Sequence, residues 1–176
     1  MNLAEVDLEV VKFLNVNFFS VHLAYFAIFL IYSVYIYLIY VAYDLFRNRQ
    51  HKKLFHLFVV AVIGYIFVVS LKYLVGRERP YDADQEINVV FKKADPSFPS
   101  SHAFISYLSF FFIPENSPSW LKKFLSIYLL FLIPLSSIYS GVHYPSDVIV
   151  GALLGLVFPK ALPERASSKI LGKIFK

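Results

Sequence analysis

His143 and Asp147 stand four residues apart in the 176-residue chain, with Pro145 between them. Proline suits the first turn of a helix, where its missing N–H costs nothing. Asp147 would then lie in that turn, where the helix dipole favours a carboxylate that can reach back to one imidazole nitrogen. The other nitrogen would be free to attack, so the pattern predicts a nucleophile with its orienting partner. An ordinary capped helix start is the alternative.

Lys72 lies near the end of a long apolar stretch, and Arg79 follows it by seven residues, directly before Pro80. Seven residues are about two helical turns, so both cations face the same way if the helix persists. The residue before a proline tends to leave the helix, which puts Arg79 at the rim. An Arg fork and a Lys point charge that converge at a membrane surface suit a phosphate group. Two unrelated surface cations are the alternative.

Pro99-Ser100-Ser101-His102 precedes another apolar stretch. Ser100 or Ser101 can cap the helix that starts here, which leaves backbone N–H groups aimed at an anion in front of it. His102, close behind, would be placed to donate a proton to a leaving group beside that anion. A plain helix cap with a bystander histidine is the alternative for this stretch on its own.

The composition indicates a membrane protein. Hydrophobic residues make up 58% of the chain and aromatic residues 19%, and they come in long uncharged runs that need lipid. The chain has no cysteine, which excludes disulfides and thiolate metal sites. The net charge of +5 comes from basic residues beside apolar spans, so membrane topology explains it and we expect no nucleic acid as a partner.

We expect one all-α domain over residues 1–176: a polytopic membrane helix bundle with an N-terminal interfacial helix and about five transmembrane helices. The first 16 residues carry apolar side chains at helical spacing with charges between them, as in a helix lying on a membrane surface. The predicted spans cover residues 18–43, 54–75, 103–113, 121–139 and 148–158. The third and fifth are near the length at which a buried or re-entrant helix competes with a crossing.

Basic residues set the predicted orientation. The loop 47–53, the pair Lys122-Lys123 and the tail from Lys160 to Lys176 are rich in Lys and Arg, which the positive-inside rule assigns to the cytoplasm. With five crossings, the three polar stretches then fall together on the opposite side. We therefore expect them to form one site that faces away from the cytoplasm.

In order and spacing, the three stretches resemble the motifs of the type 2 phosphatidic acid phosphatase superfamily. That family has Lys, six residues and Arg-Pro; then Pro-Ser-Gly-His; then Ser-Arg, five residues, His, three residues and Asp. Here the motifs stand as Lys72 to Arg79-Pro80, Pro99-Ser100-Ser101-His102, and Ser136-Ser137 to His143 and Asp147. The resemblance covers about residues 54–158, and the three motifs together are a specific signal.

The resemblance implies a role for each matching residue. His143 would attack phosphorus to form a phosphohistidine, Asp147 would orient it, and His102 would protonate the leaving oxygen. Neither a metal nor a cofactor is expected. The residues expected to hold the phosphoryl oxygens as charge builds in the transition state are Lys72, Arg79, Ser100, Ser101 and Ser137.

Two positions depart from the family pattern. Ser101 replaces the usual Gly of the second motif, which is a mild change. Ser137 replaces the Arg of the third motif, and the loss of one transition-state donor costs on the order of 2 to 4 kcal/mol. Arg77 would be a substitute if its side chain turns inward.

The leading interpretation is an integral membrane lipid phosphatase of the cell membrane. Its substrate would be a polyprenyl pyrophosphate carrier or a phospholipid monophosphate, held in the bilayer. The alternative is a catalytically weakened or inactive protein that binds or moves phospholipids, and Ser137 is the feature that favours it. A third interpretation is a membrane channel or a structural bundle. In that case the convergence of the three basic and histidine clusters would be a coincidence.

Overall fold

The structure, a computed structural model, describes residues 2–167 and residue 169. The helices are α1 (Leu3–Phe18), α2 (Val21–Arg47), α3 (His51–Val75), α4 (Pro80–Ala83), α5 (Ser101–Phe110), α6 (Ser119–Ile127), a π-helical segment (Tyr128–Leu132), α7 (Ile133–Tyr139) and α8 (Pro145–Ala161). The described residues form no β-strand, which confirms the all-α prediction. Lys173 and Lys176 of the basic tail lie outside the described residues.

Three stretches are long and apolar enough to cross a bilayer: Val21–Arg47, His51–Ala83 and Ser119–Tyr139. Their outer faces expose large apolar side chains, as expected of surfaces that contact lipid. The two shorter helices, α5 and α8, pack against each other, and α5 also contacts α2, α3 and α7. The protein is therefore an all-α membrane bundle with α5 at its centre, and the number of complete crossings stays a prediction.

α8 approaches α5 closely because Gly151 and Gly155 face it. A Cβ atom at Gly151 would collide with the carbonyl oxygen of Ser100. A Cβ atom at Gly155 would collide with the carbonyl oxygen of Phe104 and would lie 2.8 Å from Cβ of Tyr107. In lipid, helix association relies on such close packing because lipid tails are as apolar as the side chains. The two glycines therefore allow the contact that holds the start of α5 against α8.

Replacing Gly155 with alanine is expected to lower the free energy of unfolding by about 1–3 kcal/mol, the range typical of overpacking. The added methyl group meets backbone atoms, which cannot rotate away as a side chain can. Leu153→Ala is the matched control, since Leu153 is exposed on the same helix, and it should cost less than about 1 kcal/mol. Thermal unfolding in detergent measures both. Equal stability of Gly155→Ala and the parent would contradict the close approach.

The chain passes from α6 to α7 through the π-helical segment, and Pro134 follows in the first turn of α7. Proline has no N–H to donate, so a carbonyl one turn earlier loses its helical donor. Two side chains of α5 donate to carbonyls in this segment: Ser106 Oγ to Leu129, and Tyr107 Oη to Leu130 at 2.9 Å. The irregular segment is thus satisfied by α5, which ties the central helix to the Ser119–Tyr139 stretch.

α1 turns a mainly polar stripe inward. Asp7, Val11 and Asn15 are buried, whereas large apolar residues on its other side are exposed. Asn15 donates to the carbonyls of Asn88 at 2.9 Å and Tyr139 at 2.7 Å. The exposed apolar side agrees with the expected interfacial helix, and the buried stripe connects α1 to the end of α7 and to the loop between α4 and α5.

Candidate active site

A cavity of about 560 Å³ lies between α2, α3 and α5, beside residues 84–100 (the α4–α5 loop) and the turn that follows α7. Its wall is polar where the sequence motifs meet and aromatic elsewhere. The polar residues include Lys72, Arg79, Lys93, Asp95, Ser101, His102 and His143, and the aromatic ones are Tyr32, Tyr35, Tyr65, Tyr73 and Phe91. The structure therefore brings residues of all three motifs to one place.

His143 lies in the turn between α7 and α8. Gly141, with φ of 67°, turns the chain through the left-handed region that glycine adopts freely, and α8 begins at Pro145 as expected from the sequence. The imidazole is 1% exposed, and neither ring nitrogen has a hydrogen-bond partner among the described residues. Nδ1 lies 3.5 Å from Oδ2 of Asp147, a long distance that is common in catalytic pairs before substrate binds. Nε2 is the nitrogen left for substrate.

Burial lowers the pKa of His143 well below its ordinary value, and the positive charges of Arg79 and Lys72 lower it further. A neutral imidazole keeps a lone pair on one ring nitrogen, and a nucleophile requires this lone pair. The same cations that suit a phosphate group therefore keep the histidine in its reactive form.

Asp147 is fully buried in the first turn of α8. Its Oδ2 accepts a hydrogen bond from the N–H of Tyr144 at 2.9 Å, and its Oδ1 accepts one from Arg77 at 2.7 Å. Its backbone carbonyl accepts the N–H of Ser100 at 3.0 Å, which links the second and third motifs directly. Tyr144 and Arg77 thus hold the carboxylate beside His143, and Ser100 holds the backbone of Asp147.

Arg77 turns inward, but toward Asp147 rather than into the cavity. Its guanidinium bridges Asp147 and Asp7, at 2.7 and 2.8 Å, and lies 3.8 Å from the ring centre of Tyr144. Arg77 therefore positions Asp147, and it does not line the cavity as a substitute for the missing Arg of the third motif. Sequence reasoning missed Asp7. In the sequence Asp7 is one of several charges between apolar residues of α1, and its inward direction is visible only in the structure.

Lys72 and Arg79 converge on Asp95 of the α4–α5 loop. Oδ2 of Asp95 lies 3.1 Å from Lys72 Nζ, and Oδ1 lies 2.9 Å from Arg79 Nη2. Both cations are almost completely buried, and they also donate to the carbonyls of Pro96 at 2.7 Å and Val142 at 2.6 Å, respectively. Two buried cations that share one carboxylate form a site in which another anion can replace it. Asp95 was missed because the mixed charges of its loop carry no pattern.

α5 begins at Ser101, and Ser100 caps it by accepting the N–H of Ala103 at 3.3 Å. Ser101 lines the cavity. The N–H groups in the first turn of a helix have no carbonyl partner within it, so they can bind an anion in front of the helix. Ser100 thus contributes to the site indirectly, because its own N–H is bound to the carbonyl of Asp147.

His102 is 5% exposed and lies against the rings of Tyr32 and Tyr35, with centroids 5.4 and 5.9 Å away. The ring centroids of His102 and His143 are 6.5 Å apart. A phosphoryl group between two such rings would have a nucleophile on one side and a proton donor on the other. The geometry is therefore suited to displacement at phosphorus.

Ser137 is set apart from the other motif residues. It is fully buried in α7, where its Oγ donates to the carbonyl of Ile133 at 3.2 Å, and it does not line the cavity. Serine carries no charge and is much shorter than arginine, so this position supplies no positive charge to the site.

The sequence profile of the PAP2 superfamily matches residues 53–164. The bacitracin transport permease protein BcrC of Bacillus licheniformis is 33% identical over 108 residues, which are 56% of this chain and 50% of that protein. The undecaprenyl-diphosphatase of Sulfolobus acidocaldarius is 33% identical over 105 residues, which are 55% of this chain and 49% of that protein. The match thus spans about half the length of these two curated relatives.

Two solved structures share the fold. The crystal structure of Aquifex aeolicus LpxE has a TM-score of 0.75 at 28% identity, covering 93% of this chain and 95% of that one. The crystal structure of the first transmembrane PAP2 type phosphatidylglycerolphosphate phosphatase from Bacillus subtilis has a TM-score of 0.73 at 20% identity, covering 98% and 87% of the two chains. The profile match, which takes in all three motifs, shows that this chain belongs to the PAP2 superfamily.

Proposed function

We propose that the protein is a membrane lipid phosphatase that acts on a polyprenyl pyrophosphate carrier or a phospholipid monophosphate. The observation that carries the proposal is the cavity in which the buried rings of His102 and His143 lie beside Lys72 and Arg79. The name of the Sulfolobus relative, an undecaprenyl-diphosphatase, supports the first substrate class.

In the first chemical step, Nε2 of His143 attacks phosphorus while the bond from phosphorus to the leaving oxygen breaks. The leaving oxygen takes a proton from His102, and a phosphohistidine remains. Asp147 faces Nδ1 and stabilises the positive charge that develops on the ring. Lys72 and Arg79 exchange the carboxylate of Asp95 for phosphoryl oxygens, where negative charge builds in the transition state.

In the second step, a water molecule attacks the phosphohistidine and gives its proton to His102, which now acts as the base. The phosphorus–nitrogen bond breaks, inorganic phosphate leaves, and His143 returns to its neutral form. The route uses no metal ion. Within residues 2–167 and 169, the His, Asp and Glu side chains form no group of three placed to hold one.

The aromatic side of the cavity supports a lipid substrate. Tyr65 and Tyr73 line the cavity and are also exposed on the outer surface of α3, a helix that is apolar enough to lie in the bilayer. Tyrosine rings combine an apolar body with a polar tip, which suits the junction of a lipid chain with its phosphate group. The substrate would thus keep its chain in the membrane while its phosphate reaches the histidines.

The experiment that tests this function is phosphate release by the purified protein in detergent with a metal chelator. Undecaprenyl pyrophosphate and phosphatidylglycerol phosphate represent the two lipid classes, and glycerol phosphate is the soluble control. We expect release from at least one lipid at a rate well above that for glycerol phosphate. The absence of release from every substrate would favour the alternative of a weakened lipid-binding protein, to which Ser137 points.

The active site is expected to face away from the cytoplasm, because the basic loop 47–53 lies at the opposite helix ends. The chain has no cysteine, so single cysteines can be placed at the exposed positions Gln85 and Asn48. An impermeant thiol reagent should label Gln85→Cys in intact cells, and should label Asn48→Cys only after permeabilisation. The reverse pattern would invert the proposed topology.

A further inference from the structure

Lys93 of the α4–α5 loop lies in the cavity on the side of His102. Its Nζ is 3.4 Å from Nδ1 of His102 and 5.5 Å from the centre of the Tyr32 ring. None of the ion pairs found among residues 2–167 and 169 includes Lys93. Lys93 is therefore a partly buried cation of the cavity without a carboxylate partner, whereas Lys72 and Arg79 share Asp95.

The backbone of Lys93 is held by one buried hydroxyl. Oη of Tyr81 accepts the N–H of Lys93 at 2.8 Å and donates to the Lys93 carbonyl at 3.0 Å. Tyr81 is 5% exposed and directly follows Pro80 of the first motif. The side chain of Lys93 thus extends from an anchored position, which reduces the ordering cost of placing a long lysine on a ligand.

Burial of an ammonium group without a counter-ion is unfavourable. Burial lowers the pKa of Lys93 to about 8, and the nearby guanidinium of Arg79 adds to this effect. A phosphate group bound beside Lys93 would supply the missing negative charge and favour the protonated form. The cavity without substrate therefore favours the binding of an anion beside Lys93.

We propose that Lys93 is a phosphate-binding catalytic residue whose ammonium donates to a phosphoryl oxygen and replaces the positive charge that the family pattern places at position 137. The inference rests on the function proposed above. Ser137 does not line the cavity, and Arg77 is bound to Asp7 and Asp147. Because Lys93 lies beside His102, it acts near the leaving oxygen, where charge grows on the way to the transition state.

Three variants test the assignment: Lys93→Met, Lys93→Arg and Lys92→Met. Lys92 is the neighbouring loop cation; it also lines the cavity, but it is exposed and has its Nζ 5.4 Å from the Tyr81 ring centre, so it controls for the loss of one charge at the cavity rim. We expect Lys93→Met to lower kcat about 10²–10³-fold, as for the loss of one transition-state donor. Lys93→Arg should lose less than about tenfold because it keeps the charge, and Lys92→Met less than about threefold because an exposed charge is screened. KM should change less than kcat in Lys93→Met.

The pH dependence of kcat/KM separates a charge role from a structural role. Burial lowers the pKa of His102 well below its ordinary value, so loss of this acid reduces kcat/KM at lower pH. Lys93 is protonated below its pKa of about 8, so the value for the parent should show a further fall as the pH rises through this range. In Lys93→Arg the fall should move to higher pH, because a guanidinium keeps its proton. The titratable and charged groups that face Lys93 are Tyr32 on α2, Lys72 on α3, Arg79 before α4, Asp95 on the same loop, His102 on α5 and His143 after α7.

If the Lys93→Met protein folds and its kcat equals that of the parent, the assignment is overturned. If Lys93→Met does not fold, the pH profile of Lys93→Arg tests the assignment. A fall of kcat/KM at the same alkaline pH as in the parent would then overturn it. If the parent releases no phosphate, the proposed function fails separately and vanadate binding tests Lys93. Vanadate should raise the Tm of the parent and of Lys93→Arg by similar amounts, and should raise the Tm of Lys93→Met by less. Equal stabilisation of the charged and uncharged proteins would also overturn the assignment.

Discussion

The His143→Ala protein is expected to release phosphate at least about 10⁴-fold more slowly than the parent, in line with the loss of a nucleophile in other hydrolases. Alanine removes the ring nitrogen that attacks phosphorus. His102 cannot take its place, since its ring lies on the other side of the expected phosphate position, 6.5 Å from that of His143. Substrate binding should persist, because Lys72 and Arg79 are unchanged.

The measurement combines steady-state phosphate release with trapping of the covalent intermediate. A substrate with radiolabelled phosphate, quenched in alkali, should leave an acid-labile label on the parent and none on His143→Ala. His22→Ala is the matched control, because His22 is an exposed histidine in the first turn of α2, and it should retain parental turnover and labelling. An acid-labile phosphoenzyme in His143→Ala would show that another residue is the nucleophile.

The His102→Ala protein is expected to lose about 10²–10⁴-fold in turnover on lipid substrates, the range typical of a general acid. An alkoxide or a lipid phosphate leaves slowly without a proton, so the loss should be large for these substrates. On p-nitrophenyl phosphate the loss should be at least about tenfold smaller, since this leaving group is stable as an anion and needs little protonation.

The comparison of the two substrate types tests the acid role, and vanadate binding tests the phosphate pocket. We expect His102→Ala to retain vanadate binding, measured as an increase in Tm, because the cations of the pocket are intact. An equal loss of activity on the lipid and on p-nitrophenyl phosphate would mean that His102 acts by shaping the cavity between Tyr32 and Tyr35 rather than as an acid.

Much of the fold and the local geometry of the site could be predicted because the signals are local. Ser100 and Pro145 lie at helix starts, where a cap and a proline were expected. The spacing of His143 and Asp147 depends only on the first turn of α8. The long apolar runs predicted the helices of the bundle, since only helices and closed barrels satisfy the backbone in lipid.

Contacts between distant parts of the chain could not be predicted in the same way. Arg77 meets Asp7 and Asp147 across 70 residues in each direction, and no periodicity links such positions. Lys93 and Asp95 belong to a loop of mixed charge, where a residue inside the cavity looks the same in sequence as a solvated one. Their roles depend on the path of the loop over the end of the bundle, which is set by packing.

The sequence by itself determined the membrane-helical class, the family and the three motifs, because hydrophobic runs, caps and residue spacing act over a few turns of helix. Only the tertiary structure decided how the charges are shared. It bound Arg77 to Asp147, placed Asp95 between Lys72 and Arg79, and left Ser137 outside the cavity. It also put Lys93 beside His102. The physical reason is that a charge buried in a bundle takes whichever partner the packed helices bring within a few ångströms, and sequence distance does not encode that proximity.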